Sequence, residues 1–545
     1  MKLIENETEQ KLRGGFYTPE PIAKFILRWA VNGNIGYDIL EPSCGDGVFL
    51  EQIKTNNTKY NSITAIEIDA IEAKKAATVS LSNKVILNED FHAFANVTKQ
   101  RFDLVVGNPP YIRYQYFDKE QQVEAAKIFQ KANLKYSKLT NAWVSFVVGS
   151  SLLLKEQGKI GFVLPAEILQ VSYAKTLRNF LSHYYNKINI VSFKKLVFPD
   201  IQQEVVLLLC EKNNTNEHYI EHIEVEDIDS LMLLDILSLK KLKKRVDFES
   251  NKWTFYFLEQ REIDFLEEIT KNGAIPKLGD FADVEVGITT GSNEFFTVPL
   301  TIVETFELQP FAKPLIGRSV QVNSPIFTDI GWLQNRNSKA RAHLLVFPTI
   351  DNLKRHKEAM KYLAIGERKG IKKGYKCGIR DEWQILPSVW ISDALFIRRN
   401  NLYPKLIINE ARAYTTDTMH RVRIKENVNI RAFAASYYNS LSFAFSEISG
   451  RSYGGGVLEL MPSEVEKILL PYREDNASII ENIDAMMRKN KNINEILKFS
   501  NKFILKDGYG FSDNEIKIAD KIWKKLSKRR LNRNGKQHLE DDVKI

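Results

Sequence analysis

From Thr18 to about Cys210 the apolar positions alternate between two rhythms, a helical period and short continuous runs. Ile22, Phe25, Ile26, Trp29 and Ala30 recur at the helical period, and Thr18 followed by Pro19 reads as an N-cap with proline at the first helical position. Runs at Asp38–Leu40, Ile63–Ile68, Leu104–Val106, Ile160–Leu164 and Ile188–Phe193 have strand length, with helix-length segments between most of them. That alternation predicts an α/β fold, a doubly wound and mostly parallel sheet covered on both faces. Glu204–Cys210, entered through Phe198-Pro199-Asp200, follows its predecessor too closely for a crossover helix, which predicts a terminal antiparallel hairpin.

Glu211 to about Asn251 is polar and charge-rich and reads as a bridge between domains, with Leu231–Leu242 as a short helix inside it. Beyond it, glycine-punctuated segments such as Val286 to Gly291 and Tyr453 to Gly456 predict a loop-rich, mixed α/β second domain. The expected division is 1–245 and 246–545. At 545 residues the chain is too long for one hydrophobic core, and 44% hydrophobic with 27% charged residues excludes disorder over most of it. The formal net charge of +9 favours capture of a polyanion without saying which. Cys44, Cys210 and Cys377 are too few and too scattered for a disulfide framework or a zinc cluster, so a reducing cytoplasm and no metal are expected. The N-terminus lacks an apolar signal core and the longest apolar stretch, Val144–Leu154, is too short to cross a bilayer, so no membrane partner is expected.

Ligands of open parallel sheets sit beyond the carboxyl ends of strands where the strand order reverses. After the first strand comes Glu41-Pro42-Ser43-Cys44-Gly45-Asp46-Gly47, whose glycines let the backbone pass close to a ligand. The second strand ends in Glu67-Ile68-Asp69, where an acid can accept from both hydroxyls of a ribose. Asn88-Glu89-Asp90-Phe91 adds a carboxylate able to receive an adenine amino group and a ring to lie beside the purine. Each of these alone also fits a solvated loop end.

Phe102 to Tyr111 is more specific, because it delivers Asn108-Pro109-Pro110-Tyr111 at a strand end. An aromatic amine is a poor nucleophile, since its lone pair is delocalised into the ring. The side-chain oxygen of Asn108 and the carbonyl of Pro109 can each accept one amino hydrogen and localise that pair. Consecutive prolines fix the backbone and remove competing donors, and Tyr111 is placed to stack on a base. A base inside a duplex must first be flipped out.

With these residues the chain resembles the adenine-specific DNA methyltransferases of the gamma arrangement, with a TaqI-type recognition domain at the C-terminus. Phe16-Tyr17-Thr18-Pro19 matches the cofactor segment that precedes the glycine turn, and the other blocks follow in the family's order. The resemblance implies a Rossmann-like methyltransferase fold and S-adenosyl-L-methionine as cofactor, held by Tyr17, Thr18, Glu41, Ser43, Gly45, Gly47, Glu67, Ile68, Asp90, Phe91, Asn108 and Pro110. It implies Phe198 as the ring facing Tyr111 across a flipped adenine, so that the catalytic set is Asn108, Pro109, Pro110, Tyr111 and Phe198. It also implies a monomeric, prokaryotic enzyme of the cytoplasm acting on double-stranded DNA as the modification partner of a restriction-modification system, with a cognate nuclease left open.

The family likeness extends to segments of the C-terminal half, where Lys372, Lys373, Lys376 and Arg380 interleave with Tyr375 and Trp383, and His420, Arg421 and Arg423 form a second basic group. Such groups suit phosphate contacts and base-edge readout. Lys524 to Arg530 offers another backbone contact or a solvated helix end. Glutamine methyltransferases also use Asn-Pro-Pro-Tyr, but their chains lack a second domain of this size. Methylation of the cytosine ring carbon needs a Pro-Cys pair, which is absent.

Overall fold

The computed structural model describes residues 17–532, apart from 32–35, 114, 199–203, 214, 236–242, 249–251 and 454–455. Among the described residues the first large sheet has nine strands: β1 Tyr37–Glu41, β2 Tyr60–Ile66, β3 Lys84–Leu87, β4 Phe102–Gly107, β5 Leu154–Pro165, β6 Lys187–Phe193, β7 Val205–Glu211, β8 Tyr219–Val225 and β9 Lys243–Arg245. Their order is β3-β2-β1-β4-β5-β7-β6-β8-β9. Strands β3 to β5 run parallel to their neighbours through β2, β1 and β4, while β7 is antiparallel to both β5 and β6. The expected hairpin is therefore present, with β7 inserted between β5 and β6, but it is not terminal, because β8 and β9 extend the sheet beyond β6.

Strand order reverses between β1 and β4, so the ends of these two strands, Glu41 and Gly107, flank the place where a doubly wound sheet opens to a ligand. Strand β6 and all but the last residue of β7 are buried, because a sheet covered on both faces selects continuous apolar runs such as Val-Val-Leu-Leu-Leu-Cys. The helix Glu20–Ala30 buries its predicted stripe. It lies so close to β5 that a Cβ on Gly161 would come within 2.5 Å of Ile26 Cγ2. Pro19 occupies the N-cap with no side-chain cap, so Thr18 does not cap this helix and is spent elsewhere.

The stretch expected as a bridge after Glu211 instead continues the sheet. Strand β8 pairs parallel with β6 over its whole length, β9 pairs with β8, and the helix Ile228–Leu233 lies between them. Polar side chains disguised it: Glu221 is wholly buried and His222 meets Ser192 Oγ at 2.8 Å. Residues 236–242 of the expected helix lie outside the described residues. The segment past β9 is tied to the first sheet: Lys244 Nζ of β9 donates to Tyr256 O, and Phe257 stacks edge-on against His222 at 4.3 Å. The chain divides into two compact units, 1–263 and 264–545.

The second unit is mixed α/β. Its five-stranded sheet runs Ala282–Val286, Met419–Ile424, Ala394–Ile397, Leu406–Asn409 and Ile326–Phe327, with smaller sheets of four and three strands beside it. Among its described residues past Asn429 helices dominate, ending in Asp513–Leu531. Arg530 on that helix is buried, paired with Glu447 at 2.7 Å and bonded to Asn401 O and Gly456 O, so this member of the basic run is a structural tie. No helix among the described residues is long and apolar enough to cross a membrane.

Candidate active site

A cavity of about 1060 Å³ opens at the carboxyl ends of β1, β2 and β4. Tyr17, Thr18, Glu41, Ser43, Gly45, Glu67, Ile68, Asp90, Phe91, Asn108 and Pro110 all line it. Thr18, released from capping duty, is among the walls. Gly47 is not: its φ of 95° makes the turn into the helix Val48–Thr55, and a Cβ there would stand 3.1 Å from Ala76 Cα. Gly45, at φ 51°, presents its N–H to Glu67 Oε2 at 2.9 Å.

Glu67 also accepts from Asp69 N at 2.9 Å, and Asn88 Nδ2 donates to the carbonyls of Glu67 and Ile68 at 2.8 and 3.0 Å. The three strand-end loops are thus knitted together by side-chain to backbone bonds. Asp69 and Asp90 each cap the helix that follows, Ala70–Thr78 and Phe91–Val97. Ser43 Oγ donates to Asn108 O at 3.3 Å, joining the glycine turn to the segment after β4.

Among the described residues seven carboxyl groups line the cavity, those of Glu41, Asp46, Glu67, Asp69, Glu72, Glu89 and Asp90, and no lysine or arginine does. Burial pushes the Glu41 carboxyl well up, and repulsion from Glu67 and Asp46 adds to it. Burial likewise raises Glu67 and Asp46. Glu41 Oε2 is buried and has no hydrogen-bond partner among the described residues. Such a pocket is suited to a cation carrying further hydrogen-bond donors. Its apolar side includes Phe91, Phe117 and Phe146, with Phe91 and Phe146 stacked at 4.8 Å.

Of the other proposed catalytic residues, Pro109 is buried behind the wall. Tyr111 packs against the apolar cluster that contains Phe198, which is itself 5% exposed; neither lines the cavity. Sequence reasoning missed Glu72, His92, Tyr116, Phe117, Gln121 and Phe146 as lining residues. Glu72 and His92 had proximity to the chosen motifs as a signal; Phe146, on a helix that is apolar on almost every side, had none.

The Eco57I restriction-modification methylase family matches residues 21–198, and the C-terminal domain of the type II methyltransferase M.Eco57I matches residues 250–505. The chain belongs to the restriction-modification methyltransferases. The type II methyltransferase M.AccI of Acinetobacter calcoaceticus is 24% identical over 91% of this chain and 93% of its own length. The tRNA1(Val) (adenine(37)-N6)-methyltransferase of Haemophilus influenzae is 31% identical over 136 residues, 24% of this methyltransferase and 54% of the tRNA enzyme. The cryoEM structure of a DrdV-DNA complex has the same fold over 88% of this chain and 57% of that one, at a TM-score of 0.50 and 12% identity.

The methyltransferase has a Rossmann-like fold, and its cofactor is S-adenosyl-L-methionine. The cavity fits that group: a buried carboxylate oxygen, Glu41 Oε2, without a partner among the described residues and further acids for its positive charges, aromatic walls for its purine.

Proposed function

We propose that this methyltransferase modifies the exocyclic amino group of adenine in duplex DNA after flipping the base out, as the modification enzyme of a restriction-modification system. The observation that carries the reading is Asn108-Pro109-Pro110 at the end of β4, with Asn108 and Pro110 in the wall of the same cavity as the carboxylates. S-adenosyl-L-methionine, when bound, supplies an electrophilic methyl group. The chain's own residues prepare the nucleophile: Asn108 Oδ1 and Pro109 O accept the two amino hydrogens and turn the nitrogen lone pair out of the ring. Adenine is favoured over cytosine by the relative whose name specifies adenine N6, and the blocks follow the gamma order, cofactor segments before Asn108.

In this reading the second unit reads the target. Lys372, Lys373, Lys376 and Arg423 are exposed and suit phosphate or base contact. His420, Arg421 and Arg380 already have internal work: His420 is buried with Nε2 on Leu460 O, Arg421 donates to Val286 O and Ser388 O, and Arg380 donates to Thr289 O and Thr290 O. Arg421 and Arg423 both stack on Trp390, at 4.2 and 4.4 Å, so Arg421 supports Arg423 through a shared ring.

Incubation of the protein and duplex DNA with tritiated S-adenosyl-L-methionine, followed by digestion to nucleosides, is expected to place the label in N6-methyldeoxyadenosine. Label in N4-methyldeoxycytidine, or in polypeptide, would overturn the assignment. Phe198→Ala is expected to lose most of the 2-aminopurine fluorescence rise at the target site, because stacking on one aromatic ring holds an extrahelical base by about 1–3 kcal/mol. An undiminished rise confines Phe198 to the apolar cluster in which it lies.

A further inference from the structure

A polar chain runs inward from Asp90 in the cavity wall to the buried side chains of His92 and Ser145, which have no part in the chemistry above. Asp90 Oδ1 accepts from the backbone N–H of His92 at 3.2 Å and stands 3.0 Å from His92 Nδ1. His92 Nε2 stands 2.8 Å from Ser145 Oγ, on the buried helix Ala142–Leu152, and that hydroxyl also lies 2.7 Å from Ala142 O. His92 is wholly buried, and the rings of Phe91, Phe117 and Phe146 are centred 5.8, 5.6 and 4.8 Å from its own. A ring enclosed in this way cannot turn without breaking both polar contacts.

Burial opposes ionisation of Asp90, but the hydrogen bonds it accepts from the side chain and backbone of His92 help to outweigh it, and the carboxyl is held below its usual range. An ionised carboxylate only accepts, so a hydrogen is fixed on Nδ1 and directed at Oδ1. Asp90 therefore has one oxygen committed twice to His92, while its residue forms part of the cavity wall.

We infer that His92 and Ser145 are positioning residues that clamp Asp90 with Oδ2 turned to the 6-amino group of the donor's adenine, so that the site selects adenine against a purine bearing a carbonyl at that position. The inference rests on the reading that Asp90 receives this amino group and goes beyond it in naming what enforces the choice. A carboxylate held in one orientation accepts from an amino donor and repels a carbonyl oxygen placed at the same point. One that can swing away avoids that repulsion, and the discrimination is lost.

The test is binding without turnover, by titration calorimetry with S-adenosyl-L-homocysteine and with S-inosyl-L-homocysteine. The wild type is expected to prefer the adenine ligand by about a hundredfold, as for a charged hydrogen bond exchanged for a repulsion. His92→Leu brings the preference within about fivefold, Ser145→Ala lowers it part of the way, and His92→Asn, whose amide donates from near the Nδ1 position, restores most of it. Melting curves establish that each variant is folded; if His92→Leu is not, Ser145→Ala and His92→Asn carry the comparison. Asp90→Ala separates the two levels. If it abolishes the preference while the His92 and Ser145 variants retain it, the clamp is refuted and the site stands. If the preference survives Asp90→Ala, or the wild type shows none, the reading of Asp90 itself falls.

Discussion

Replacing Asn108 by alanine is expected to lower single-turnover methyl transfer by about two to three orders of magnitude, the usual loss when one preorganised partner of a developing charge is removed. Donor affinity should change by no more than about threefold, because the bond that joins this segment to the glycine turn runs from Ser43 Oγ to the main-chain oxygen of residue 108, which alanine keeps. Pro109 O remains as the second acceptor, so transfer falls without vanishing. Asn108→Asp retains an acceptor at the same place and should fall less. Rapid-quench measurement with tritiated donor and DNA in excess reads the chemical step, and calorimetry reads donor binding. Turnover unchanged in Asn108→Ala would remove this side chain from the chemistry.

The first sheet was legible because strands buried on both faces read as continuous apolar runs, and β1, β2 and β4 to β7 were all found from them. Strand β3 is four residues long and only partly buried, too little signal to separate from its surroundings. Strand β8 was hidden by Glu221 and His222, whose burial depends on partners brought by other strands. The glycine turn and the acids Glu67 and Asp90 were legible because strand ends, helix starts and polar residues coincide there. His92 was not, because a histidine between Phe91 and Phe94 carries no mark of the serine it meets fifty-three positions later. In the second unit the strands are two to six residues long and paired across large separations, so patterning alone could not show that Met419–Ile424 lies inside a sheet and takes His420 and Arg421 with it.

Glu41→Gln is expected to raise the melting temperature of the ligand-free protein at neutral pH while weakening binding of S-adenosyl-L-methionine by about ten- to a hundredfold. Burial, with repulsion from Glu67 and Asp46, lifts the folded pKa of Glu41 above its ordinary carboxylate value. An acid shifted upward favours the fold only while protonated. Its cost is absent below the ordinary value and grows as pH rises through the folded pKa. Glutamine carries no such cost, so the gain in melting temperature should be near zero at about pH 4 and a few degrees, roughly, at neutral pH. A ligand bearing a sulfonium and an ammonium group reverses the balance, since a positive charge stabilises the carboxylate and expels its proton on binding. Donor affinity of the wild type should therefore climb with pH, by up to about tenfold per unit at its steepest. Calorimetry in two buffers of different ionisation enthalpy should detect the released proton. In Glu41→Gln the climb flattens to the part contributed by Glu67 and Asp46, which burial also raises. A wild-type affinity independent of pH, together with a glutamine variant that binds equally well, would show that the positive charge of the donor is met elsewhere than at Glu41.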